Sequence, residues 1–361
     1  MLLGAPPPPI TGTYGRRLDV KRMSIRGIAH LLGVSPAAVS LALHGSHRVS
    51  EETKRHVRQV AKNLGYKPNP KLAELMSQMR LSRHQPADAC LGVISFYQSA
   101  RPWENSMYLA GIYEGMSERA DSLGYRLEPF WLRAPGMTYR RLCSILDTRG
   151  ISGLLCLGSP EMDVELPEEF ERYAVVTHGI SIRTPLHRVI AASFSDIWKA
   201  MNQVHGRGYR RPGLVVSEYE DVRSGCSYSS GYLGWCQHTF GTSGSIPILP
   251  LNTVEKTLLV NWIGQHHPDV VIFVHHHTTL PKFSAVLCDA GIRPGVDIGV
   301  AVLTQSLDGT SFSGLQQNRR LIGLRTVDLL VASIMNRERG IPADPRIQIV
   351  ESRWIDGNSL R

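Results

Sequence analysis

The chain has 361 residues, of which 42% are hydrophobic and 20% are charged, a composition typical of globular proteins. Its length corresponds to two or three domains. The sequence has no run of about 18 apolar residues that could cross a membrane. Its Pro-rich start also lacks the apolar segment of a secretory signal, so we expect a cytoplasmic protein without a membrane partner.

The excess positive charge is concentrated at one end of the chain. The net charge is +9, and residues 1–88 contain 14 Lys and Arg against 5 Asp and Glu, so this segment carries the whole excess. A basic segment of this kind indicates a polyanionic partner, for which double-stranded DNA is the first candidate. A solvated basic tail is the alternative interpretation.

Six cysteines are scattered between residues 90 and 288, and no two have the CxxC spacing of a metal or redox site. We therefore expect reduced, mostly buried thiols that behave as small apolar side chains. Neither a metal nor a cofactor is predicted from them.

The predicted elements begin after a Pro- and Gly-rich extension, residues 1–22, for which we predict disorder. Apolar residues then recur at helical spacing in three short runs, which start after Ser24, Ser35 and Ser50. Each serine can cap the helix that follows it. Gly33 suits the left-handed turn that ends the first helix.

Two short helices joined by a glycine turn, with a third as a buttress, form a helix-turn-helix unit, which we place at residues 23–68. The second helix is rich in small residues, so its backbone can approach the DNA major groove closely. Base contacts are predicted from Ser35, Pro36, Ala37, Ser40, Leu41 and His44. Phosphate contacts are predicted from Arg26, Arg48, Lys54, Arg55 and Arg58. A three-helix bundle without a DNA-binding role is the alternative.

A fourth amphipathic helix with a linker is predicted within residues 69–88. Asn69 can cap this helix, and its apolar stripe consists of Leu72, Leu75, Met76 and Met79. A helix of about ten residues is marginal alone in water. We therefore expect it to fold only against DNA or against its twin in a second subunit, and a plain linker is the alternative.

The stretch SIRGIAHLLGVSPAAVSLALHG, followed by RVSEETKRHVRQVAKNLGYKPNP, resembles the DNA-binding headpiece of the lactose-repressor (LacI/GalR) family of bacterial transcription regulators. The resemblance covers roughly residues 24–80. It implies a homodimer whose headpieces enter the major groove and whose hinge helices enter the minor groove, with Leu75 in the place of the family's leucine wedge. Pro36, Ala37 and Leu41 stand where the family often has polar base readers, so contacts with thymine methyl groups are expected there.

From residue 89 onward, short apolar runs alternate with amphipathic stretches. The predicted strands cover residues 90–96, 125–131, 153–157, 173–177, 213–217, 269–274 and 297–303. Helices are predicted between them, for example at 107–123, 194–206, 252–266 and 318–337. This alternation predicts doubly wound parallel sheets with helices on both faces, and the run is long enough for two such units.

This part, residues 89–361, resembles the periplasmic-binding-protein-like effector and dimerisation domain of the same family. The resemblance implies an N-lobe at about 89–190, a C-lobe at about 191–308 and a return of the chain at 309–361 across both lobes. It also implies that the two lobes close on a small-molecule effector.

Ligands of such folds bind at the carboxyl ends of the strands, between the lobes. The effector-binding candidates in those loops are Tyr97, Trp103, Tyr108, His178, Arg223, Gly231, Trp235, His277 and Thr304. By alignment, Gly231 replaces the family's usual arginine, and His277 and Thr304 replace its usual aspartates. An arginine and two carboxylates hold sugar hydroxyls well, so their replacement counts against a sugar. The alternatives are therefore a sugar, another metabolite or no effector at all.

Three consecutive histidines, His275 to His277, offer two side chains on one face of an extended chain. No third metal ligand is spaced for them, so pocket-lining or loop histidines are favoured over a metal site.

Taken together, these patterns predict a DNA-binding transcriptional regulator, a repressor that binds a palindromic operator as a homodimer, and not an enzyme. A ligand-binding protein or a metal-dependent hydrolase are the alternatives.

Overall fold

A computed structural model of the protein describes residues 25–43, 49–64, 89–241, 245–304 and 311–361. The chain divides into two compact units, Met1–Gln85 and Pro86–Arg361. None of the helices within these ranges has the length and apolarity that a membrane span requires. The predicted boundaries near residues 22, 68 and 88 lie outside the described residues, as do the extension 1–22 and the predicted hinge helix in 69–88.

In residues 25–43 and 49–64, the described part of the first unit, three helices form, α1 (Ile25–Leu32), α2 (Pro36–Leu43) and α3 (Glu51–Asn63). All three contribute to one small core, which consists of Ile28, Ala29, Val39, Ala42, Val57 and Ala61. These residues have the spacing of helical inner faces, so the predicted three-helix arrangement is confirmed.

The turn between α1 and α2 forms as its residues predict. Gly33 has a φ of +64°, the left-handed conformation that glycine adopts without strain. The Ser35 hydroxyl accepts a hydrogen bond from the Ala38 amide at 3.1 Å and caps α2. Ser50 caps α3 in the same way, by accepting from the Thr53 amide at 3.3 Å.

The described residues of the second unit form twelve strands. They are β1 (Cys90–Ser95), β2 (Arg126–Trp131), β3 (Gly153–Cys156), β4 (Ala174–His178), β5 (His187–Ala191), β6 (Pro212–Val216), β7 (Leu249–Pro250), β8 (Val270–Val274), β9 (Gly299–Thr304), β10 (Ser313–Gln316), β11 (Ile347–Val350) and β12 (Arg353–Ile355). Its α-helices are α4 (Met107–Ser122), α5 (Tyr139–Thr148), α6 (Ser193–Gly206), α7 (Glu218–Arg223), α8 (Ser227–Phe240), α9 (Lys256–His266), α10 (Leu280–Asp289) and α11 (Arg319–Asn336).

The strands form two six-stranded sheets, one in each lobe. The N-lobe sheet is parallel throughout, in the order β11-β5-β4-β3-β1-β2. The C-lobe sheet has the order β12-β10-β9-β8-β6-β7, and only β12 runs antiparallel to its neighbour. A separate apolar core covers each face of each sheet, so the predicted class of two doubly wound lobes is confirmed.

The chain crosses between the lobes more than once. After β10 in the C-lobe it returns through α11, whose Ile322 and Leu330 belong to the N-lobe core, and through β11. It then enters the C-lobe sheet again as β12. Each lobe is thus discontinuous in sequence, as the family resemblance implies.

Two glycines let α11 pack closely on α4. A Cβ atom at Gly115 would lie 2.0 Å from the Arg320 carbonyl oxygen, and one at Gly323 would lie 2.0 Å from the Ile112 carbonyl oxygen. Because no side chain fits there, the two helices approach backbone to backbone. This contact fixes the start of α11, which directly follows a crossing between the lobes.

Candidate nucleic-acid interface and ligand cleft

The exposed surface of α3 carries two of the predicted phosphate-binding side chains. Arg55 and Arg58 are both exposed, one helical turn apart. Lys54 is different, because only 6% of it is exposed and its ammonium lies 2.6 Å from the Glu51 carboxylate. The Lys54 hydrogen bond holds the pKa of Glu51 below its usual value. The structure therefore makes Lys54 part of the helix packing and a weaker phosphate candidate than its neighbours.

Ser35, which directly precedes α2, is exposed, and Leu41, in the last turn of α2, is half-buried. The remaining DNA-contact predictions lie outside the part of the chain whose side chains are described, so they stay predictions. These residues are Arg26, Pro36, Ala37, Ser40, His44, Arg48, Leu72 and Leu75.

A cleft of about 370 Å³ lies between the two lobes of the second unit. It brings together four of the predicted effector-binding residues, which are Tyr97, Tyr108, His178 and Arg223. They come from the end of β1, the start of α4, the end of β4 and the end of α7. The carboxyl ends of parallel strands thus supply part of the site, as the topology predicts.

A second, more open hollow of about 520 Å³ adjoins this cleft. Tyr219, Glu220, Arg223 and His276 line both spaces, so they form the boundary between an inner and an outer chamber. The two chambers together give a ligand room to extend outward from the lobe contact.

His178 has an unusual environment in the inner chamber. It is only 2% exposed, and neither ring nitrogen has a hydrogen-bond partner among the residues that the structure describes. The Tyr108 ring meets its ring edge-on, with the centroids 6.0 Å apart. Burial and the Arg223 charge lower the pKa of His178 to about 4. A neutral imidazole can donate one hydrogen bond and accept another.

Arg223 connects the lobes across the cleft. Its Nη1 donates to the Ser159 carbonyl at 2.8 Å and to the Pro160 carbonyl at 3.4 Å, and both belong to the N-lobe. Its guanidinium carbon lies 5.3 Å from the centre of the Tyr219 ring. Burial raises the pKa of Tyr97 to about 12, and the neighbouring Arg223 partly opposes this rise. The Arg223 guanidinium therefore lines both chambers and bonds the C-lobe to the N-lobe.

Glu220 adds a carboxylate to the same surface. It lies one turn before Arg223 on α7 and is half-buried. Burial raises its pKa, and the Arg223 charge works in the opposite direction. No ion pair links Glu220 to a residue in the described ranges.

Sequence reasoning missed several residues that line the inner chamber. The main ones are Ser193, Phe194, Glu220, Tyr228 and Gln317. Glu220 stands just beyond the carboxyl end of β6, so the rule that ligands bind at strand ends could have found it. Gln317 and Ser193 lie where the chain crosses between the lobes, which only the tertiary structure reveals.

Three predicted effector residues do not line the cleft. Trp235 is 2% exposed in the C-lobe core, where its indole donates to Asn202 at 2.7 Å. Gly231 faces α6, and a Cβ atom there would lie 2.2 Å from Cγ2 of Ile197. Trp103 stacks on Tyr113 at a centroid distance of 3.8 Å. The predictions for these three residues are corrected, because helix packing and core formation account for their positions.

The histidine cluster has a structural explanation. His275 is 6% exposed; its Nδ1 accepts from the His276 amide at 2.8 Å, so its Nε2 carries the proton donated to the Leu251 carbonyl at 3.0 Å. His276 lines the cleft, whereas the side chains of His277 and Thr304 lie outside the described set. Within the described ranges, no group of three or more candidate metal ligands comes together.

Comparison with known proteins identifies the N-terminal region. Residues 24–69 match the sequence profile of the family described as "Bacterial regulatory proteins, lacI family". The HTH-type transcriptional regulator CelR of Thermobifida fusca is 25% identical over 217 residues. This match covers 59% of the chain and 60% of CelR, so the chain aligns with about three fifths of that relative.

Solved structures show a shared fold. A CelR–cellobiose complex superposes with a TM-score of 0.58 at 18% identity, covering 94% of this chain and 100% of that one. A lac repressor dimer, bound to operator and the anti-inducer ONPF, gives 0.56 at 16% identity with the same coverage of both chains. CcpA of Lactococcus lactis gives 0.55 at 14% identity, covering 76% of this chain and 100% of that one.

Proposed function

We propose that this chain, whose residues 24–69 match the lacI family of bacterial regulatory proteins, is a sequence-specific DNA-binding regulator of transcription that acts as a repressor. The observation that carries the proposal is the helix-turn-helix α1–α3 within the family match, in the segment that holds the whole excess positive charge. The relatives named above are regulators, which supports a regulatory and not an enzymatic role.

In this proposal the headpiece, residues 23–68, places α2 in the major groove. Arg55 and Arg58, which are exposed on α3, contact phosphates and set the register of the protein on the duplex. Base reading falls to Ser35, Leu41 and the neighbouring positions of α2 and the following loop. The segment 69–88 then acts as the hinge helix and linker, with Leu75 as the wedge that opens a central base step.

The second unit, residues 89–361, is the proposed effector-binding and dimerisation part. One relative in the comparison is a dimer bound to an operator and another is a complex with cellobiose. By analogy we propose a homodimer on a palindromic operator and a small-molecule effector in the interlobe cleft. An effector that binds one lobe arrangement better than another shifts the population between operator-binding states.

The decisive experiment is selection of bound duplexes from a random DNA pool by the purified full-length protein at moderate ionic strength. We expect enrichment of a two-fold-symmetric sequence whose half-sites match two headpieces. The selection is repeated with a metabolite panel, since an effector can be required for tight binding. Recovery of an unenriched pool in every condition would overturn the proposed function.

A further inference from the structure

Two opposite charges on α7 face the cleft without pairing with each other. Glu220 and Arg223 are separated by one helical turn, and both line both chambers. Elsewhere in this protein, opposite charges at the same spacing do pair, at 3.4 Å for Arg101 and Glu104 and at 3.1 Å for Arg325 and Asp328. The cleft thus keeps a half-buried carboxylate and a guanidinium apart.

Each of these charges has capacity left for a ligand. The hydrogen bonds of Arg223 to the N-lobe carbonyls both use Nη1, and a guanidinium has five N–H donors in total. Glu220 is partly desolvated without an ion-pair partner in the described ranges. Because a desolvated charge is unfavourable unless it is paired, a ligand cation beside Glu220 would be stabilised there.

The rest of the inner chamber offers rings and one neutral hydrogen-bonding group. His178 is buried with both ring nitrogens lacking a partner among the described residues. Tyr97, Tyr108 and Tyr228 form aromatic walls, and Phe194, at 52% exposed, presents a further ring. Such walls suit a flat ring, which packs well on aromatic faces.

We propose that the cleft binds a zwitterionic ligand with a flat ring, which means an aromatic amino acid or a compound of the same chemistry. The ligand ammonium pairs with Glu220, its carboxylate with Arg223, and its ring packs among the tyrosines near His178. Residues three apart on a helix lie about 4.5 Å apart along the axis, which suits the two adjacent charges of an α-amino acid. That this ligand regulates operator binding rests on the proposed function, whereas its binding does not.

An uncharged sugar would neutralise neither of these charges. Its hydroxyls could hydrogen-bond to Glu220 and Arg223 but would leave both without a counter-charge, and the position of the family's usual arginine is the packed Gly231. The affinities of the cleft for zwitterions and for sugars can therefore be compared by experiment.

Isothermal titration of the full-length protein with L-tyrosine, L-phenylalanine and L-tryptophan tests the proposal directly. The matched probes are L-tyrosinamide, which lacks the carboxylate, and N-acetyl-L-tyrosine, which lacks the ammonium. We expect at least one free amino acid to bind and each blocked form of tyrosine to bind at least tenfold more weakly than tyrosine. Three outcomes would overturn the proposal. They are equal binding of the blocked forms, tighter binding of cellobiose or lactose, and failure of every one of the three amino acids to bind at millimolar concentration.

A variant pair assigns the ammonium contact. Glu220→Gln should weaken binding of the free amino acid at least tenfold and leave the weak binding of the N-acetyl form unchanged. Glu114→Gln, at an exposed position on α4 away from the cleft, is the control and should bind as the parent does. An unchanged affinity in Glu220→Gln would show that Glu220 is not the counter-ion of the ligand ammonium.

The two proposals fail in different ways. Amino-acid binding that leaves DNA binding unchanged supports the ligand chemistry and counts against its regulatory role. If the affinity for the operator changes only with sugars, the proposed function is supported and the proposal of a zwitterionic ligand is overturned.

Discussion

Arg223 of α7 donates through Nη1 to the carbonyl oxygen of Ser159, 2.8 Å away in the opposite lobe. The acceptor belongs to a well-fixed loop, because Ser159 is fully buried and its amide donates to the Ser181 hydroxyl at 2.8 Å. One cationic side chain therefore attaches the C-lobe to a rigid part of the N-lobe. A ligand that recruits the same guanidinium would act directly on the spacing of the lobes.

Replacing Arg223 with Ala should loosen the lobe contact. Hydrogen bonds from charged donors contribute about 1.5–3 kcal/mol, so loss of this one should speed amide exchange near it by about tenfold or more. The measurement is hydrogen–deuterium exchange of the full-length protein over residues 157–161. Arg140→Ala, at an exposed position outside the cleft, is the control. Unchanged exchange in the Arg223 variant would show that the contact does not hold the lobes together.

Two glycines of α8 should respond in opposite ways to an added methyl group. Gly231→Ala would place Cβ 2.2 Å from Ile197, and we expect a loss of about 1–3 kcal/mol of unfolding free energy from overpacking. At Gly234 nothing lies within 4 Å of the added atom, so Gly234→Ala should be neutral or stabilising by up to about 1 kcal/mol. Urea unfolding of the two variants makes the comparison. Equal stabilities would contradict the close packing of α8 on α6.

Buried His178 should make the protein less stable in mild acid. Its native pKa of about 4 lies below the ordinary value of 6.5, so protonation favours the unfolded chain. Stability should fall as the pH drops from 6.5 towards 4, by about 2 kcal/mol at pH 5 from this residue alone. His178→Gln should remove that part of the pH dependence in urea unfolding between pH 7 and 5. His238→Gln, at an exposed site, serves as the control. If the unfolding free energy of His178→Gln depends on pH in the same way as that of the parent, the lowered pKa of His178 is contradicted.

Arg55 and Arg58 should contribute to the salt dependence of DNA binding. Each phosphate contact releases a counterion, so Arg55→Gln or Arg58→Gln should reduce the slope of log affinity against log salt by about 1. Affinity for operator and random DNA should fall by similar factors, because phosphates carry no base sequence. Fluorescence anisotropy from 50 to 200 mM salt gives the slopes, with Arg140→Gln as the control. An unchanged slope would remove that arginine from the proposed contacts.

Features that depend on neighbouring residues could be read from the sequence. The serine caps, the Gly33 turn and the inner faces of α1 to α3 follow from spacing within eight or so residues, and the structure confirms them. The buried strands β1, β3, β6 and β8 are continuous apolar runs, so the sequence predicts them close to their observed bounds. The family resemblance rests on the same local patterns in the headpiece.

The sequence does not predict five strands, β5, β7, β10, β11 and β12. They have two to five residues and, unlike the equally short β3, each contains polar residues or a proline. For β11 and β12 the partner strand that supplies the hydrogen bonds is also remote in sequence. β11, for example, joins β5 only after the chain has passed through the other lobe.

The cleft depended most on tertiary structure. The sequence determined that aromatic and charged residues stand at the ends of strands, but not which of them point inward. Packing of α8 against α6 takes Gly231 and Trp235 into the C-lobe, whereas Glu220 and Phe194 reach the cleft. Burial is decided by contacts between segments far apart in the chain. For this reason the local pattern reveals the fold class, while only the assembled lobes reveal which residues line the cleft.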